Sequence, residues 1–122
     1  MFFREMMQKA ESGDTEAMRS LAVEYMKRWD GESDDFDKAL DWLDKAAELG
    51  NVEAIAEMAD VYRKHHMLEK AFSYEEKAAN LGRAKSMYNL SIHYRDGLGV
   101  PANREKHRYW YEKGRENGFP PG

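Results

Sequence analysis

Glycine recurs along this chain at a near-constant interval, and the residues around it recur with it. Gly13, Gly50, Gly82 and Gly118 stand 37, 32 and 36 residues apart. Behind them come Ala17, Leu21 and Tyr25 in the first interval, Ala54, Met58 and Tyr62 in the second, and Ser86, Leu90 and Tyr94 in the third. Spacings of four put each trio on one stripe of a helix. Ahead of the closing glycines lie three further matching segments, residues 38–50, 70–82 and 106–118, each opening on Lys. In the first of them Ala39, Trp42, Leu43, Ala46 and Ala47 follow the period of an amphipathic helix. Each interval therefore reads as helix A, a loop, helix B and a glycine. The glycine suits the left-handed position that ends a helix, and Asp14 or Asn51 just after it caps the next one. Small side chains at Ala17, Ala46 and Ala47 let helices approach, while Tyr25 and Trp42 fill the gaps between turns. One helix pair cannot bury so much apolar face, so the units must stack.

Composition sets the remaining bounds. The 122 residues are 42% apolar and 34% charged, enough apolar material for one domain with a core and too much for a disordered chain. No apolar run approaches the length of a membrane span. Cys is absent, which excludes disulfides, zinc–thiolate sites and a cysteine nucleophile. Arg4, Glu5, Lys9 and Glu11 interrupt any signal-peptide-like apolar stretch, so a cytoplasmic location is expected. The net charge of −4 speaks against a nucleic-acid binder. That charge is unevenly spread: residues 13–49 carry 5 basic and 11 acidic side chains, residues 82–118 carry 8 and 4. Such a gradient allows a weak head-to-tail contact between copies of the chain.

The repeated pattern resembles the Sel1-like repeats, relatives of the tetratricopeptide repeats. The third interval holds the loop signature as Tyr94-Arg95-Asp96-Gly97-Leu98-Gly99-Val100, and the first holds the helix B signature as Lys38-Ala39 followed by Trp42, Lys45-Ala46-Ala47 and Gly50. The resemblance implies an all-α fold, a right-handed α–α superhelix of three helix-turn-helix repeats within one solenoid domain, 1–122. Repeat 1 covers 13–49, repeat 2 covers 50–81 and repeat 3 covers 82–118, with a tail at 119–122. Residues 1–12 have the length and phase of a lone helix B, with Phe2, Met6 and Ala10 covering the first helix A, which brings the total to seven helices. Repeat 1 departs from the pattern by an acidic loop, Trp29 to Asp37, and repeat 2 by a short one, Arg63 to Glu69. In repeat 3, His107, Gly114, Arg115 and Asn117 replace Ala, Ala, Ala and Leu, as suits a polar terminal cap stopped by Phe119-Pro120-Pro121.

Motifs that could carry chemistry read as structural. His65 and His66 are adjacent in a turn, with His93 and His107 on other helices, so no metal site is expected. The acidic loop lacks the Gly and the final Glu of a calcium loop, having Asp35 and Asp41 at those positions counted from Asp30. Its acids instead favour the start of helix B, with Ser33 or Asp34 as the cap. Gly97 and Gly99 have no preceding strand and no Lys-Ser/Thr pair, so they turn the chain rather than cradle phosphate. No nucleophile–base pattern is present, which argues against an enzyme, and no cofactor is called for. The Tyr and Trp stripe (Tyr25, Tyr62, Tyr94, Trp42, Tyr74, Trp110) belongs to the core rather than to base stacking.

Resemblance to tetratricopeptide solenoids implies that A helices line a concave groove. Counting from Leu21, Met58 and Leu90 as the inward reference gives Arg19, Val23, Met26 and Lys27; Ala56, Asp60, Arg63 and Lys64; and Tyr88, Ile92, Arg95 and Asp96. This mixture suits a peptide or protein partner with an acidic side, anchored by Arg63, Arg95 and Tyr88. The function expected is a non-enzymatic interaction module of the scaffold or adaptor kind, as in bacterial members of the family. The alternative is an immunity-type inhibitor that blocks one toxin.

Overall fold

The computed structural model describes residues 2–120, Phe2 by its backbone alone. Among the described residues there are seven α-helices and no strand. They are α1 (Phe2–Glu11), α2 (Thr15–Arg28), α3 (Asp35–Glu48), α4 (Val52–Lys64), α5 (Leu68–Asn80), α6 (Ala84–Asp96) and α7 (Arg104–Glu116). The A helices of the repeats are α2, α4 and α6, and the B helices are α3, α5 and α7. The side chain of Phe2, expected to cover α2, and Pro121, expected in the chain stop, lie outside the described residues. The chain divides into two compact units, Met1–Ala54 and Ile55–Gly122.

In the first unit α1 packs on α2 and α2 on α3. Their buried faces are the periodic positions: Met6 and Ala10 from α1, Ala17, Leu21 and Tyr25 from α2, Ala39, Leu43 and Ala46 from α3. Tyr25 receives the edge of Phe3 at 5.5 Å. Trp42 is only half-buried, with Lys45 Nζ 4.9 Å from its ring. The expected cap is present, since Asp14 Oδ1 accepts from Glu16 N at 3.0 Å and Ala17 N at 3.1 Å. Asn51 does the same for α4, accepting from Ala54 N at 2.9 Å, and its amide donates to Thr15 Oγ1 at 2.9 Å. Asp14→Ala should therefore cost about 1 kcal/mol, while Asp14→Asn should cost little. Urea denaturation checks this, and equal losses from both substitutions would show that the cap bond contributes nothing.

The acidic loop departs from expectation. Asp34 occupies the N-cap position of α3 without a side-chain cap bond, and Ser33 Oγ reaches Asp35 N only at 3.5 Å. Asp30 takes the organising role instead, accepting from Glu32 N at 2.9 Å and Ser33 N at 2.8 Å. Those backbone donors, Glu32 first, hold its carboxyl below the usual carboxylate range. A residue that satisfies the loop's own amides wins over one that would serve the helix.

In the second unit α5 packs on α6 and α6 on α7. Tyr62 of α4 stacks on Tyr74 of α5 at 5.6 Å. Ala79, Met87, Leu90 and Tyr94 form a buried cluster, with Phe72, Val100 and Trp110 packed against it. Tyr25 and Tyr94 are thus interior residues, as the period implied. Gly114 stands where α7 crosses the start of α6: a Cβ there would lie 3.3 Å from Tyr88 N and 3.4 Å from Ala84 O. The polar cap of repeat 3 has a steric reason at this one position.

One hairpin-closing device recurs at four helix ends. Asp14 N reaches Lys9 O, Asn51 N reaches Ala46 O, Arg83 N reaches Ala78 O and Phe119 N reaches Gly114 O, all between 2.8 and 3.2 Å. The glycine before each donor has positive φ, from 87° to 103°, which is the geometry that returns two late carbonyls to hydrogen bonding. That α1 closes in the same way supports its reading as a lone helix B.

Candidate functional site

In the first unit the proposed surface residues all lie on α2. Val23 is 42% exposed, Lys27 is exposed, and Arg19 and Met26 are half-buried. Arg19 Nη1 meets Glu16 Oε2 at 2.7 Å, and Lys27 Nζ lies 3.7 Å from Glu24 Oε1.

In the second unit α4 presents Asp60, Arg63 and Lys64, which share one face by their spacing of three and four. Arg63 Nη2 donates to Asp60 Oδ1 at 3.1 Å. Ala56 is different. At 5% exposure it sits in the interior and offers no contact area. On α6, Arg95 Nε and Nη2 donate to the two carboxylate oxygens of Asp96, both at 3.0 Å. The pair reinforces itself: Asp96 raises the Arg95 guanidinium, and Arg95 holds the Asp96 carboxyl low. Ile92 is half-buried. Tyr88 is also half-buried, and its ring is engaged by Phe119 at 5.3 Å and Tyr111 at 6.1 Å. It therefore serves α6–α7 packing as well as the surface.

The surface is consequently not a row of bare cations. Arg19, Lys27, Arg63 and Arg95 each have a carboxylate on their own helix. Exposed pairs of this kind contribute little to stability, because solvent screens them and holding two long side chains costs entropy.

Three features escaped the periodic reading. His93 is buried, and its Nδ1 donates to Leu98 O at 2.7 Å. Burial pushes the ring below its ordinary value, with Arg63 adding a smaller repulsion, so it acts as a neutral clamp on the loop after α6. Gly99 in that loop lies against the backbone of Leu68 and Glu69 at the start of α5. Glu75 of α5 is 3% exposed and stands in the slot filled by Leu43 in repeat 1. Ser86 and Asn89 hydrogen-bond to its carboxyl, while Oε1 has no partner among the described residues. Aligning the three B helices exposes that mismatch, although burial alone shows its consequence. Among the described residues no three His or carboxylate side chains gather as a metal ion would need, and no helix is long and apolar enough to cross a membrane.

Comparison with known proteins gives a consistent picture. The Sel1 repeat family model matches residues 15–51, 68–82 and 84–119. An uncharacterized protein of Neisseria meningitidis serogroup B is 31% identical over 86 residues, which cover 67% of this chain and 18% of that protein. The crystal structure of a Sel1 repeat protein from Oxalobacter formigenes is similar with a TM-score of 0.81 and 29% identity, over 94% of this chain and 90% of the other. A protective antigen of uropathogenic Escherichia coli strains, displaying an SLR fold, is similar with a TM-score of 0.79 and 27% identity, over 96% of this chain and 26% of the other. Sel1 repeat proteins generally mediate protein–protein interaction. The three phased repeats, their glycine closures and these matches together show that the chain belongs to the Sel1 repeat family, in the all-α helical-repeat class.

Proposed function

We propose that this chain is a non-enzymatic adaptor, working in the cytoplasm, that docks a peptide or protein partner on the exposed faces of its A helices, in each unit taken by itself. Arg19, Val23, Met26 and Lys27 contribute from α2, and Asp60, Arg63, Lys64, Ile92, Arg95 and Asp96 from α4 and α6. The observation that carries the reading is the combination of half-exposed aliphatic side chains with intrahelical ion pairs. The aliphatics provide area to bury, and the pairs provide guanidinium groups held in place at little energetic cost.

Affinity capture followed by mass spectrometry tests it, comparing wild type with Arg63→Glu and with Lys77→Glu on α5. Arg63→Glu should weaken a captured partner by about tenfold or more, as expected for a central Arg. Lys77→Glu should leave it bound. Loss with both variants, or with neither, overturns the assignment. Tyr88→Ala is unsuitable here because it also disturbs the contacts with Phe119 and Tyr111. A toxin-blocking role would appear as one partner held in fixed ratio, whereas an adaptor exchanges several.

A further inference from the structure

Repeat 3 holds a cavity that helical periodicity does not reveal. It measures about 330 Å³ and is lined by Arg95, Ala102, Asn103, Arg104 and His107. Its walls are fixed by several hydrogen bonds. Asn103 N donates to Tyr94 O at 2.8 Å, tying the loop back to α6. Asn103 Oδ1 accepts from Lys106 N at 3.0 Å and so closes the first turn of α7. His107 Nδ1 lies 2.9 Å from Ser91 O. A carbonyl only accepts, so Nδ1 carries the proton and Nε2 is the nitrogen left for another partner. Asp96 grips Arg95 through Nε and Nη2, which orients the guanidinium plane and leaves Nη1 outside that pair.

Two arginines and a histidine thus line one cavity, with Asp96 paired to Arg95 beside it. They do so in the segment of the chain with the largest positive excess, 8 basic against 4 acidic residues over 82–118. The volume exceeds what a single carboxylate needs and leaves space for the side chain that bears it, with Ala102 as an apolar wall for methylene groups. Guanidinium forks match carboxylate geometry in two parallel bonds.

We propose that this cavity binds a glutamate or aspartate side chain of an acidic peptide, held by Arg104 and His107 together with the Asp96-oriented Arg95. The proposal rests on the adaptor reading and extends it, since Arg95 belongs to both surfaces while Arg104 and His107 belong only to this one.

Titration of the full chain with an acetylated tetraglutamate peptide, followed through the arginine Nε–Hε resonances, tests it. Saturable shifts are expected at Arg95 and Arg104. Arg104→Glu should weaken binding by about tenfold or more, and Arg104→Lys, which keeps charge but not the fork, by less. Lys77→Glu makes a charge change of the same sign on α5, outside both surfaces, and should alter affinity by no more than about twofold, because screening weakens distant charges. Circular dichroism establishes that each variant is folded. Equal losses in Arg104→Glu and Lys77→Glu would reduce the effect to general attraction and overturn the cavity, as would inorganic phosphate producing the same shifts at the same concentration. A captured partner lost with Arg63→Glu but kept with Arg104→Glu overturns the cavity and leaves the adaptor surface standing. Peptide binding at Arg104 with no partner dependent on Arg63 does the reverse.

Discussion

Gly99→Ala lowers stability by about 3 kcal/mol, and Gly97→Ala, two residues away, by only about 1 kcal/mol. Both glycines have positive φ, 75° and 70°, so the backbone penalty for an L-residue is common to the two. The difference is steric. A Cβ on Gly97 would find its nearest neighbour, Ala102 N, at 3.5 Å, an ordinary contact. A Cβ on Gly99 would overlap the Leu68 carbonyl and lie 2.8 Å from Glu69 N. Those atoms are backbone at the start of α5 and cannot swing aside as a side chain would. Relief requires the loop 97–103 to withdraw, which would stretch the His93 Nδ1 to Leu98 O bond and uncover Val100 beside the Leu90 cluster. Urea unfolding of the two variants against wild type checks this, with the denaturant slope unchanged. Equal losses would mean that the loop yields freely and that its approach to α5 contributes nothing to stability.

Glu75→Leu raises stability by about 2 kcal/mol near neutral pH, and Glu75→Gln by less. At the equivalent position Leu43 buries a full aliphatic side chain, whereas Glu75 brings a carboxyl into the same kind of slot. Burial raises its pKa above the ordinary 4.5, partly offset by hydrogen bonds from Ser86 and Asn89; the charge of Asp60 adds to the rise and that of Arg83 opposes it. The group binds its proton more tightly folded than unfolded. Its contribution is therefore fully present below about pH 4.5 and is lost as pH climbs through the raised folded value. The gain from Glu75→Gln should accordingly be small in acid and grow above pH 4.5, a difference that cancels the opposite trend of the surface carboxylates. Chemical denaturation at several pH values measures it. A gain independent of pH would show that the carboxyl is already neutral, or already solvated, throughout the range.

These two positions show how far the residues themselves could be read. Helix number, the Asp14 and Asn51 caps and the four glycine closures are local, each decided within about five residues, and they follow from spacing. The core stripe follows as well, because Leu21, Leu43 and Leu90 repeat a period that only burial explains. Ser33 and Asp34 misled as caps because a residue type and its position fix the chance of a cap but not the rotamer. Asp34 makes no side-chain cap bond, and Asp30 instead closes the turn before it through Glu32 N and Ser33 N. The interaction surface was legible as a set of helix positions, yet its ion pairing was not, since a side chain's partner depends on rotamer as well as register. Ala56 shows the same limit: the period that places its neighbours outward does not reveal that this position is only 5% exposed. Arg104 and His107 meet Arg95 only because the 97–103 loop folds back, and no helical period encodes a loop.

Arg19 with Glu16, Lys27 with Glu24, Arg63 with Asp60 and Arg95 with Asp96 each pair within a single helix. Each pair is thereby confined to about one turn of its own helix. The buried positions that hold each helix, such as Leu21 and Leu90, are separate from these exposed pairs, so the outer side chains can be redrafted on an unchanged frame.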